Sequence, residues 1–115
     1  MTAYGLAHLR PPAVLAAQVY EYLERIQATL DPFGGTFLVH GTPVEVMEGA
    51  WPGTLVLIEF PTMAHAREWY ASPAYREILH LRADHIPGDL ILAEGCGPDH
   101  DSAALAAVMR AAVSA

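Results

Sequence analysis

Two short runs limit what this chain can fold into more than anything else in it. TLVLIEF (residues 54–60) and DLILAEG (89–95) have strand length, and both stay apolar on both alternating sets of positions. A strand with one face in water alternates cleanly. Each run is therefore expected to be covered on both faces.

The rest of the chain supplies cover for only one of those faces. Residues 2–9 form a short, weakly alternating apolar run, broken by Pro11-Pro12, and Pro12 suits the first turn of a helix. Leu15, Val19, Tyr22, Leu23, Ile26 and Leu30 then recur at steps of three and four, with Glu21, Glu24, Arg25 and Gln27 between them. That helix stops at Asp31-Pro32, and Gly34-Gly35 turn the chain into a strand over Thr36–His40. A glycine- and proline-rich connection, 41–53, leads to the strand at 54–60. Pro61-Thr62 opens a second helix through Ala66, Trp69 and Tyr70, which Ser72-Pro73 interrupts and which resumes with Tyr75, Ile78, Leu79 and Arg82. Pro87-Gly88 closes it ahead of the strand at 89–95.

The order β-α-β-β-α-β is the ferredoxin-like split βαβ arrangement of the α+β class, a four-stranded antiparallel sheet with the helices on one face. The other face then has no cover from its own chain. The pattern predicts a homodimer joined through that open sheet face. Residues 1–97 make the expected domain. Residues 98–115 make an extension in which Asp101 or Ser102 caps a short alanine-rich helix that either docks or frays.

Composition agrees with one folded unit. The 115 residues are 53% hydrophobic and 17% charged, which excludes a disordered chain and suggests surface shared with another subunit. The net charge is −7, and all six basic residues are scattered arginines. Without a basic face, nucleic acid and anionic membranes are poor partners. No apolar run approaches the ~20 residues of a membrane span. The single cysteine, Cys96, excludes an intrachain disulfide, and the opening residues MTAYGLAHLRPP do not have the make-up of a signal peptide. A cytoplasmic location is expected.

Few residues carry chemistry. By strand alternation His40 shares a side with Thr36 and Leu38, where it is either a general base with a pKa near neutrality or a hydrogen-bonded surface histidine. Glu59 shares a face with Leu55 and Leu57, either as a carboxylate tuned by burial or as a strand-end group reaching solvent. Arg82 offers forked donors to a carboxylate or enolate, or else pairs with Glu59 or Glu94 to hold a dimer together. Trp51, Trp69, Tyr70 and Tyr75 either wall a pocket for a planar ligand or belong to the core. His80, Asp84 and His85 lack a matching second set of ligands, so no metal is expected. Cys96 has no base beside it, and no phosphate-binding glycine loop is present. No organic cofactor is expected either.

Six pieces in order carry a resemblance: Tyr22, FGGTFLV (33–39), EGAWP (48–52), IEFPTM (58–63), WYASPAY (69–75) with Arg82, and Glu94-Gly95. Over residues 3–95 the chain resembles the family called domain of unknown function 1330, within the dimeric α/β-barrel superfamily. The resemblance implies a ferredoxin-like protomer and a homodimer whose two sheets form a barrel. It leaves the reaction open among cofactor-free monooxygenases, cyclases, isomerases and haem-using relatives. The chain departs from the family pattern in two places. His40 stands where the family typically has arginine, and Arg10-Pro11-Pro12 stand where it has an acidic residue.

The expectation is a small-molecule enzyme working without metal or organic cofactor, of isomerase, cyclase or cofactor-free oxygenase type. Its pocket lies between helices and sheet, with the connection 41–53 as lid. His40 moves a proton, Glu59 or Glu48 assists, and Arg82 with Trp51, Trp69 and Tyr70 holds a planar substrate. The alternative is a dimeric ligand-binding protein without chemistry. The two part on geometry: catalysis needs His40 and a carboxylate to converge on one cavity.

Overall fold

The structure is a computed structural model that describes residues 1–114. The elements run β1 (Ala3–Leu9), α1 (Ala17–Leu30), β2 (Thr36–His40), β3 (Thr54–Phe60), α2 (Met63–Ala71), α3 (Pro73–Ala83), β4 (Gly88–Glu94) and α4 (Ser102–Ser114). The strands form one sheet in the order β2-β3-β1-β4, with every neighbouring pair antiparallel. This is the ferredoxin-like α+β fold expected from the sequence.

The inner face of β1 carries Ala3, Gly5 and Ala7, side chains small enough to let the helix layer approach closely. Its neighbour β3 sends Ile58 and Phe60 into the same layer. Trp69, Tyr75, Phe60, Leu30 and Ile78 are the largest fully buried side chains, and they fix α1, α2 and α3 against the sheet. The interrupted second helix is two helices. Ser72 divides them: its hydroxyl donates to the Trp69 carbonyl (2.7 Å) and accepts from the Tyr75 amide (3.3 Å), with Pro73 opening α3.

Helix α1 starts later than the periodicity suggests. Pro12 lies outside it, and residues 10–16 cross from the sheet end to the helix layer without helical structure. A residue that precedes proline disfavours the helical region, so Arg10 and Pro11 hold the chain extended. Arg10 is tied down by its amide on the Pro87 carbonyl (2.8 Å) and by an ion pair with Asp89 (3.1 Å). At the other end α1 tightens into one 3₁₀ turn, Asp31–Phe33, and Gly34 takes the left-handed region at φ +68°.

One irregularity decides which way a candidate residue points. Thr36 and Phe37 pair with Glu59 and Ile58, but Val39 pairs with Leu57 and His40 with Val56. Leu38 is the extra residue of a β-bulge. Alternation alone puts His40 on the side of Thr36 and Leu38. The bulge reverses that and puts it on the side of Phe37, Val56 and Ile58, facing the helices.

The opposite face holds Tyr4, Leu6, Leu57, Glu59 and Ile91, and among the described residues no helix packs on it; Ile91 is 55% exposed. Helix α4 has the Ala103 amide donating to Asp101 Oδ1 (3.0 Å), and it is exposed along its length. Among the described residues no helix is long and apolar enough to cross a membrane.

Candidate functional site

A cavity of about 60 Å³ lies between the helix layer and the sheet. The sheet floors it with Ala7, Phe37, Val56 and Ile58, while Val19, Tyr22 and Ile26 of α1 and Trp69 and Tyr75 wall it from the helices. Three groups bring polarity into these apolar surroundings: His40 from β2, the Tyr22–Tyr75 hydroxyl pair, and Arg82 from the end of α3.

Each polar group has a structural reason to be there. The bulge delivers His40, whose imidazole lies parallel to the Phe37 ring with centroids 4.0 Å apart. Partial burial lowers its pKa from the ordinary histidine value, so the neutral, proton-accepting ring dominates at neutral pH. Tyr22 and Tyr75 face one another where α1 packs on α3, and their hydroxyl oxygens are 2.9 Å apart. Burial pushes the Tyr22 hydroxyl well above the usual tyrosine range, and the neighbouring Tyr75 adds to this. Tyr22 therefore keeps its proton. One O–H is used between them and the other is left to donate.

The Arg82 guanidinium sits over the Tyr22 ring, 5.6 Å from its centroid. Burial works against its charge, but the two tyrosine hydroxyls outweigh burial and hold its pKa above the ordinary value. The ion pairs among the described residues join Arg10 to Asp89 and Arg25 to Glu21 and Glu77, so Arg82 has no carboxylate partner among them. Trp69 has nothing left to give, because its indole N–H donates to Thr29 (3.1 Å), whose hydroxyl in turn donates to the Ile26 carbonyl (2.7 Å). It is a wall.

The other candidates lie elsewhere. Glu59 pairs across the sheet with Tyr4 and Thr36, on the open face, so it does not converge with His40. The connection 41–53 is not a lid over this cavity. Its Trp51 stacks on His8 of β1 at the open face, with centroids 4.1 Å apart. Glu48 and Trp51 line a separate hollow of about 350 Å³ together with Leu55. Tyr70 stays out of the cavity and carries the Arg76 guanidinium 4.4 Å above its ring. Among the described residues no three His, Cys, Asp or Glu side chains gather as a metal site.

Sequence reasoning missed Tyr22 and Phe37 as site residues. Tyr22 had a readable signal: a tyrosine on the buried stripe of a helix needs a partner for its hydroxyl. Phe37 had none, because its pairing with His40 depends on the bulge.

An antiparallel β2-β3-β1-β4 sheet with the helices on one face defines a ferredoxin-like fold of the α+β class. The chain belongs to the family described as a domain of unknown function, DUF1330, which matches residues 2–96. A protein of unknown function from Rhodopseudomonas palustris is similar in structure, with 21% identity, a TM-score of 0.64, and 84% of each chain covered. A protein described as an antibiotic biosynthesis monooxygenase shares 20% identity at a TM-score of 0.53, over 84% of this chain and 100% of that one. A cofactor-independent oxygenase from Streptomyces nogalater shares 14% identity at a TM-score of 0.50, over 87% of this chain and 96% of that one. At these identities the likeness establishes the fold. No protein of curated function matches the chain.

Proposed function

We infer that this protein is a small-molecule enzyme that abstracts a proton from an enolisable substrate without metal or organic cofactor, and that it works as a homodimer. The observation that carries the reading is the meeting of a neutral histidine with an uncompensated guanidinium and a spare tyrosine O–H in one apolar cavity. His40 takes the proton from the carbon beside a carbonyl, and the C–H electron pair becomes the enolate double bond. The charge that develops on oxygen is met by Arg82 and the Tyr22–Tyr75 pair. Isomerisation, cyclisation and cofactor-free oxidation share this first step, and the sequence reading left those three classes open. Glu59 and Glu48 have no part in it, and Trp69 shapes the cavity.

The dimer rests on the open sheet face. Leu6, Leu57 and Ile91 form an apolar surface there, and exposed Val46 and Met47 of the connection 41–53 line a hollow with Leu55 of β3. Burying it against a second copy accounts for the two-sided apolar strands.

A specific observation favours a second reading. Among the described residues no carboxylate lines the cavity to orient His40, as ligand binding without turnover would have it. Deuterium exchange separates the two. A panel of planar 1,3-dicarbonyl compounds in D₂O is followed by NMR for exchange of the acidic C–H. Accelerated exchange that is lost in His40→Ala supports the enzyme. Exchange by His40→Ala as fast as by the parent protein removes His40 from the mechanism.

A further inference from the structure

The cavity is too small for the ligand that its chemistry implies. At about 60 Å³ it has room for a headgroup of a few atoms. An apolar cavity that takes up benzene measures about 150 Å³, and sites for organic ligands usually start at roughly 300 Å³. Yet the cavity is not closed. A second hollow of about 460 Å³ shares Leu9, Val19, Leu23, His40, Val56 and Ile86 with it. Pro11 and Leu15 from the segment before α1 extend this outer groove, and Gly41 and Thr54 form its far bank.

The two compartments differ in chemistry. The inner one holds the Arg82 guanidinium with the hydroxyl pair. Apart from His40 and Thr54 the groove is lined by apolar side chains and Gly41, and no charged residue among those described faces it. Leu23 remains 42% exposed although it projects from the same helix as the fully sheltered Leu30, an apolar surface that the protomer alone does not use. The late start of α1 shapes this channel: had the helix begun at Pro12, Leu15 would lie within it rather than in the loop that, with Pro11, forms the bank.

We propose that cavity and groove form one continuous site for an amphiphilic monoanion, an enolate or carboxylate headgroup at Arg82 with a hydrocarbon chain along Leu9, Leu15, Val19 and Leu23. The proposal rests on the cavity being a small-molecule site and adds the substrate class: acyl chains of medium length, with the reacting carbon passing His40 where the compartments join. Charge complementarity selects the occupant. An anion gains from an unpaired guanidinium, while a cation or a neutral alcohol does not.

Straight-chain alkanoates of two to ten carbons, titrated into the full chain by calorimetry below their micelle concentrations, test this directly. Affinity is expected to rise about fourfold for each methylene that enters the groove and to level off once the chain reaches solvent. Arg82→Gln is expected to weaken every alkanoate at least tenfold and to leave the chain-length slope unchanged. Leu23→Glu, at an exposed position that tolerates charge, is expected to flatten the chain-length slope. A flat slope in the parent protein overturns the proposal, as does an alkanol that binds as tightly as the alkanoate of equal length. His40→Ala keeps the failures apart. Retained chain-length dependence with lost proton exchange supports both readings. Retained dependence with retained exchange overturns only the catalytic one.

Discussion

Tyr22 and Tyr75 spend one hydrogen bond on each other in a place where neither hydroxyl reaches bulk water. Removing one hydroxyl leaves the other buried without its partner, which costs about 1–3 kcal/mol. Tyr22→Phe should therefore lower the melting temperature by several degrees. In a double-mutant cycle, Tyr22→Phe with Tyr75→Phe should cost less than the sum of the single changes. His40 makes a prediction of opposite character. Burial holds its folded pKa below that of an unfolded histidine, so the unfolded chain binds more protons between the two values. Its contribution to stability is complete above about pH 6.5 and is lost as the pH falls through the folded value. In a proton NMR titration the His40 ring should show a midpoint below that of an unstructured histidine peptide, and His40→Gln should reduce the acid-side loss of stability.

At the scale of elements, the joint between α1 and β2 is the least tolerant place in the chain. A methyl group on Gly35 would stand 2.7 Å from Leu30 Cδ2 and 3.0 Å from Phe60 Cε1, both of them fully buried. Gly35→Ala should cost about 1–3 kcal/mol by overpacking, read as a lower midpoint in urea at constant slope. The same joint shows what a sequence can and cannot disclose. Helix α1, the turn at Gly34 and strand β3 follow from local chemistry: apolar spacing, glycine's freedom and β-branched runs. The start of α1 does not, because Pro12 satisfies the helix rule while the chain still needs residues 10–16 to cross between layers. Neither does the face of His40. One inserted residue, Leu38, reverses it, and a bulge depends on its partner strand. So the elements were legible, and Arg82 and Trp69 were singled out, but Tyr22, whose ring carries the Arg82 guanidinium, was not. What lay beyond local patterning was the separation of His40 from Glu59, and of Trp51 from Trp69, onto opposite sides of the sheet.

For the whole molecule, the surface left over by one protomer is as informative as its core. Leu6, Leu57 and Ile91 turn away from the helices and still read as core residues. Sedimentation velocity at micromolar concentration should return a dimer for the parent chain, and Ile91→Arg, which puts a charge on that face at the edge strand β4, should return a folded monomer. A parent protein that sediments as a monomer contradicts the dimer and leaves the cavity untouched, since the two lie on opposite faces of the sheet. The central claim is the side on which His40 stands, because the cavity has no proton acceptor without it. A nuclear Overhauser spectrum of the free protein measures this most directly. The His40 ring protons should show contacts to the Phe37 ring and to the methyl groups of Val19, Val56 and Ile86. Contacts to Tyr4, Leu57 or Glu59 in their place would put His40 on the open face and contradict the account.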